Sequence, residues 1–249
     1  MTPRTVQQTT SNFRQLFPLI VYEKKLSGFL PSLYKSFEDG KFDNSTGKIT
    51  GELNGKVLIH QDTRLAPFFR EIKKTVIEYL DHFKIDKKEF QINFVKTWFT
   101  ICNPGQTVPM HYHSCSHISY VYYIQAPGDP LLFHKKNSND MFGDVFSFSK
   151  EQNVFNTDTY GINPQAEHLI MFPGSLEHYT SAEPRKHKRI SLAGDIVLTL
   201  KHRTDTESGL LSPQYWKPFL LVRWQQGQEN RCRRGCGAGS GLGEGGLGR

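Results

Sequence analysis

The sequence predicts a mostly β protein with flanking helices, its strands closed into a jelly roll (a double-stranded β-helix). Three observations predict it. From residue 90 to about 198, apolar residues fall in short runs bounded by Pro, Gly and Asn, with no helical stretch between them. That is the pattern of antiparallel sheets rather than of βαβ units. Ahead of residue 90 lies one segment of clear helical periodicity. Aromatic residues make up 12% of the 249, led by 18 Phe and 10 Tyr, which suits a sizeable β-rich core.

Taken in order, residues 1–12 are polar, and PheProLeuIleValTyr at 17–22 reads as an edge or opening strand. Residues 29–38 read as a short helix, and 39–56 as a turn-rich stretch of Gly, Asn, Asp and Lys. Residues 64–83 place Phe68, Ile72, Val76, Leu80 and Phe83 on one face of the main helix, opposite charged residues. Strands follow at 90–94, 98–102, 118–124, 131–134, 169–172 and 189–198. Double-sheet closure is the natural way for so many short strands to bury their faces. The segment 135–166, rich in Asn, Asp, Ser and Phe, reads as a loop lining the mouth of the barrel, with a plain surface insertion as the alternative. The expected organisation is an N-terminal strand and helical support segment over 1–89, a jelly-roll core over 90–205 and a C-terminal extension over 206–249. Residues 226–249 are glycine-rich and nearly devoid of large apolar side chains, so they are expected to be disordered and dispensable.

The net charge of +7 raises a nucleic-acid partner, but the charge is scattered and not interleaved with aromatics, so nucleic acid is set aside. The densest basic cluster, Arg185-Lys186-His187-Lys188-Arg189, falls in an expected turn. No apolar run approaches the roughly 20 residues of a membrane helix. No secretory signal is legible at the start, so the expected compartment is cytoplasmic. Cys102, Cys115, Cys232 and Cys236 make no disulfide framework and read as reduced thiols that bind no metal. The sequence leaves the oligomeric state open.

The chemistry is carried by His111-Tyr112-His113, a lone His178, and Arg189-Ile190-Ser191. Two histidines two apart on a strand point the same way; His178 follows PheProGly, precedes an expected strand, and joins them from the opposite rim of the barrel if the sheet folds back. Imidazole serves Fe, Zn, Cu and Ni alike, so ligand type does not name the metal. Ordinary polar histidines are the bland reading of each residue alone; the later Arg-x-Ser at the right distance weighs against it. His117, His134, His168 and His187 read as surface or supporting residues, and His60, His82 and His202 as lying outside the barrel. A buried Arg189 requires a carboxylate, since an unpaired interior charge costs several kcal/mol.

These motifs, with Tyr123, the Gly128-to-Phe133 stretch, PheProGly at 172–174 and the opening PheProLeuIleValTyr, resemble the 2-oxoglutarate/Fe(II) oxygenases common in phage and bacterial genomes, relatives of the prolyl 4-hydroxylases. The resemblance spans roughly residues 15–200. It implies a hydroxylase that oxidatively decarboxylates 2-oxoglutarate, with Fe(II), 2-oxoglutarate as co-substrate and ascorbate as a further candidate cofactor. It implies His111, His113 and His178 as metal ligands and Tyr123, Arg189 and Ser191 as partners of the distal carboxylate, with no catalytic residue apart from the metal centre. His113 stands where the prolyl hydroxylases carry an aspartate; were it not a ligand, Asp129, Asp140 or Glu177 are the oxygen donors to consider. The substrate is open, a small molecule or a protein side chain among the choices. Two rivals share the fold. A cupin fits Gly105 and His111-x-His113 but lacks the glutamate expected near His117-Ile118. A metal-stabilised or carbohydrate-binding jelly roll would not turn over 2-oxoglutarate.

Overall fold

The computed structural model describes residues 19–39, 58–126, 128–135, 148–153, 156–180, 187–202 and 210–216. The expectation for 226–249, and Cys232, Cys236 and Asp140, lie outside the described residues. One compact unit runs to Pro213, and the described residues of the second unit are Gln214, Tyr215 and Trp216.

The strands are β1 (Tyr22–Lys25), β2 (Phe90–Cys102), β3 (Ile118–Gln125), β4 (Leu131–His134), β5 (Thr159–Ile162), β6 (His168–Pro173), β7 (Glu177–Thr180) and β8 (Arg189–Leu200); the helices are α1 (Leu30–Glu38) and α2 (Ala66–His82). Two antiparallel sheets form, one ordered β1-β6-β3-β8-β2 and one ordered β5-β4-β7. This is a double-stranded β-helix, as the sequence predicts.

The larger sheet separates two environments by simple alternation. Toward the helices it presents Phe99, Ile118, Tyr120, Tyr122, Ile124, Leu169, Met171, Ile190, Leu192 and Ile196. These pack with Leu33 and Phe37 of α1 and with Phe68, Phe69, Ile72, Val76, Tyr79 and Leu80 of α2. That apolar stripe on α2 is the one its 3.6-residue period predicts, and each such side chain contributes about 1.5–3 kcal/mol when buried. Toward the smaller sheet, Ile170 and Phe172 meet Leu131, Phe133 and Ile162.

Four expectations need correction. The first strand runs over Tyr22–Lys25 and shares only Tyr22 with the expected span 17–22, though it does occupy the edge of its sheet. The two predicted strands at 90–94 and 98–102 are one strand of 13 residues. Val95 is extra on β2: Phe94 pairs with Ile196 while Lys96 pairs with Asp195. This bulge puts Phe90, Ile92 and Phe94 against the helix-side core, whereas Lys96, Trp98 and Thr100 line a cavity on the other face. The bulge breaks the alternation without breaking the strand. The segment 135–166 contains β5, whose Tyr160 and Gly161 are exposed and so leave no apolar alternation to read. Finally, His178 lies within β7 rather than ahead of a strand.

Candidate metal centre

Strand register delivers one polar row to the inner face of the larger sheet. Cys102, Thr100, Trp98 and Lys96 of β2 sit opposite Arg189, Ser191, Ala193 and Asp195 of β8. Ser191, Ala193 and Asp195 sit opposite Tyr123, Val121 and Ser119 of β3. The smaller sheet faces this row with Thr180, His178 and Leu131. The two sheets enclose a cavity of about 440 Å³, within the range of small-molecule sites.

The histidine pair is not carried by a strand, contrary to expectation. His111 forms a single bridge to His178, its N–H donating to the His178 carbonyl at 3.0 Å and its carbonyl accepting from the His178 N–H at 2.9 Å. His178 is therefore a direct neighbour, not a residue on the far rim. His113 sits two residues further along an irregular segment, its N–H donating to Gly174 O at 2.8 Å. A Cβ on Gly174 would meet the Ser116 carbonyl oxygen at 2.4 Å, so only glycine lets the two segments approach this closely. The three rings cluster with centroids 4.3 Å (His111–His178), 5.2 Å (His111–His113) and 5.2 Å (His113–His178) apart.

The Nδ1 atom of every ring faces an oxygen. His111 donates to Pro109 O at 2.8 Å, His178 to Leu176 O at 2.9 Å, and His113 to Asp195 Oδ1. Carbonyl and carboxylate oxygens only accept, so Nδ1 carries the hydrogen and Nε2 is left as a lone pair. One ring nitrogen of each histidine lies within 4.8 Å of the others. Burial lowers the His111 pKa, and burial followed by the neighbouring His111 lowers that of His178 to about 3. Both rings are therefore neutral at pH 7, the form that binds metal. Three imidazoles with fixed tautomers fit a divalent first-row ion such as Fe(II).

The six residues expected at the site, His111, His113, His178, Tyr123, Arg189 and Ser191, all line the one cavity. Burial pushes the Tyr123 hydroxyl pKa up, so it is a neutral donor. Arg189 departs from its basic neighbours: His187 and Lys188 are exposed, while Arg189 is 3% exposed at the start of β8. It already holds a carboxylate, contrary to the expectation that a co-substrate must supply one. Its Nη1 donates to Asp129 Oδ2 at 2.7 Å, and Nη2 donates to Thr180 Oγ1 at 3.0 Å and Cys102 Sγ at 3.3 Å. Asp129, considered as a substitute ligand, is thus committed to Arg189. Glu177 has the opposite parity from His178 on β7 and does not line the cavity. Tyr123, Ser191, Thr100 and Thr180 around the guanidinium fit the carboxylate of a dicarboxylic co-substrate.

Sequence reasoning missed Asp195, Ser119, Trp98 and Lys96. Asp195 accepts from His113 and, at 2.8 Å, from the Ser119 hydroxyl. Trp98 lies 5.7 Å from the His113 ring, and Lys96 Nζ sits 4.6 Å over the indole. A signal existed: Arg189, Ser191 and Asp195 share a parity, so a strand that puts the first two in the site puts the third there too.

Residues 96–195 match the family model described as "Putative 2OG-Fe(II) oxygenase". Among solved structures, HygX from Streptomyces hygroscopicus with nickel and 2-oxoglutarate bound is similar at 9% identity and a TM-score of 0.52, over 77% of this chain and 89% of that one. A Pseudomonas putida prolyl-4-hydroxylase is similar at 12% identity and a TM-score of 0.46, over 72% and 92%. None of the curated proteins matches the sequence. The matched stretch is thus similar to the 2OG-Fe(II) oxygenases, and it contains His111, His113 and His178, whose ring nitrogens lie close enough to share one metal ion.

Proposed function

We propose that the protein is an Fe(II)- and 2-oxoglutarate-dependent dioxygenase that hydroxylates a small molecule or a protein side chain, with His111, His113 and His178 holding the iron through Nε2. The observation that carries this reading is the convergence of three imidazoles whose Nδ1 atoms are all tied to acceptors. Bound iron and co-substrate supply the chemistry: O₂ is reduced as 2-oxoglutarate goes to succinate and CO₂, one oxygen entering succinate and the other a C–H bond of the substrate.

The chain's own part is positional. Arg189, Tyr123 and Ser191 take the distal carboxylate of 2-oxoglutarate, the hydroxyls donating to it and Arg189 adding charge-assisted donors. Thr180 and Asp129 hold the guanidinium in place beforehand, which lowers the ordering cost of binding. Phe172 and Phe133, with centroids 4.7 Å and 6.3 Å from the His178 ring, form an apolar wall that keeps water from that side. At the open end Tyr112 and Cys115 are exposed and Trp98 and Lys96 face the same space, so substrate selection belongs to this end. Ascorbate serves only as an external reductant in this scheme.

The test is anaerobic. Fe(II) and then 2-oxoglutarate are added and the metal-to-ligand charge-transfer band is followed; air is then admitted and succinate measured without substrate. The expected result is a band that saturates with 2-oxoglutarate, followed by slow uncoupled succinate formation. Metal binding with neither band nor succinate would reduce the protein to a metal-stabilised jelly roll.

A further inference from the structure

A metal centre with two histidines and a carboxylate has one negative charge among its ligands; three histidines provide none. The missing charge is present one imidazole away. Asp195 accepts the Nδ1–H of His113 and the Ser119 hydroxyl, and its side chain is 14% exposed, beside a His113 side chain 11% exposed. Its position is fixed three ways: by the Lys96 and Ser119 register partners on either side, by the Ser119 hydrogen bond, and by the His117 N–H donating to the carbonyl of the next residue, Ile196, at 3.0 Å. His111 and His178, in contrast, give their Nδ1 hydrogens to backbone carbonyls. The three rings are therefore not equivalent: only His113 is backed by an ionisable acceptor.

We propose that Asp195 is a positioning residue that supplies the carboxylate of this centre at one remove. It fixes the Nδ1–H tautomer of His113, aims Nε2 at the metal, and lends its charge to make His113 the most electron-rich of the three ligands. A carboxylate behind a ligating imidazole raises the basicity of the coordinating nitrogen. This rests on the three-histidine reading above.

The charge and the geometry can be separated. Asp195→Asn keeps an oxygen acceptor for His113 with nearly the same shape and removes the charge; Asp195→Ala removes both. The measurement is the dissociation constant for Co(II), by titration of the metal-free protein, with nitrogen-15 NMR of the His113 ring and the melting temperature alongside. Loss of such a supporting group costs roughly 10- to 100-fold in metal affinity. Expected are a loss of at least tenfold in Asp195→Asn with the His113 tautomer retained, and a larger loss in Asp195→Ala with a mixed tautomer. Asp195→Asn binding as tightly as wild type overturns the charge role. Wild-type affinity in Asp195→Ala, even with a lowered melting temperature, overturns the whole proposal and makes the pair a loop clasp. His111→Ala and His178→Ala distinguish the two layers: if they bind Co(II) as well as wild type, the three-histidine reading itself fails and takes this proposal with it.

Discussion

His178 shows how one buried side chain ties stability to pH. Its pKa is lowered from 6.5 to about 3, first by burial and then by His111, so the folded metal-free protein resists a proton that the unfolded chain accepts. Stability from this source is fully present above pH 6.5 and declines progressively as pH falls toward 3, because there the unfolded state binds more protons. Urea midpoints of the metal-free protein at pH 7.5 and 5.5 should fall more for wild type than for His178→Gln; equal falls would reject the assignment. Metal affinity should weaken over the same interval, since protons compete for the ligand nitrogens. Arg189 leads to a second expectation. Removing it takes from Asp129, 4% exposed, its buried cationic partner, so Arg189→Ala should lose about 3–5 kcal/mol of stability. The double replacement Arg189→Met with Asp129→Leu should recover much of that loss, because both charges go together. Arg189→Lys keeps the charge but loses the fork; giving up one such hydrogen bond to a charged group, about 1.5–3 kcal/mol, should raise the 2-oxoglutarate dissociation constant roughly ten- to a hundredfold. Chemical denaturation checks the first pair, and anaerobic co-substrate titration checks the last; a loss below about 1 kcal/mol in Arg189→Ala would show that Asp129 is held otherwise. At this scale the gathering of the three histidines, Tyr123, Arg189 and Ser191 around one cavity was legible, because motif order brings them together. Asp129 as the partner of Arg189 was not, because the two are brought together only by the fold.

Between elements, close approach is set by residues that lack a side chain. Tyr120 on β3 pairs directly with Gly194 on β8, and its ring covers the glycine: a Cβ there would meet the Tyr120 hydroxyl at 2.5 Å. Tyr120 is 1% exposed and, among the described residues, its hydroxyl has no hydrogen-bond partner. Gly194→Ala should therefore cost about 1–3 kcal/mol through overpacking. Tyr120→Phe alone should be near neutral, since it removes a hydroxyl that no hydrogen bond satisfies, and it should relieve part of the cost of Gly194→Ala. The double-mutant cycle, read from denaturant midpoints, should give a coupling of about 0.5–3 kcal/mol; strict additivity would mean the ring escapes another way. Helix α2 was legible at this scale, since the 3.6 period of Phe68, Ile72, Val76 and Leu80 survives in the fold. Strand β7 was not, because Glu177–Thr180 is four residues long and polar, and its place is decided by pairing with β4 and His111.

Across the whole molecule, alternation carried the reading. Strands β3, β4, β6 and β8 appear where short apolar runs predict them, and the fold class follows. What alternation could not give was phase: β2 was read as two pieces because its inward-facing residues change parity part-way. Burial of the helix side is the larger apolar contribution, so truncating a residue at its centre should unfold the core as a unit; Phe68→Ala is expected to cost about 3–5 kcal/mol with a single cooperative transition, and a biphasic melt would show that the helices are separable from the sheets. The extra residue at Val95 acts on the larger sheet as a reading-frame shift acts on a message. Upstream of it even-numbered side chains belong to the hydrophobic layer; downstream they belong to the chemistry. A single-residue deletion at Val95 would leave composition almost untouched yet transpose the two texts: either Phe90, Ile92 and Phe94 leave the core, or Lys96, Trp98 and Thr100 leave the cavity. Homologous chains that share this centre should therefore vary in length in the turns flanking β2 and keep the spacing from Phe94 to Trp98 unchanged.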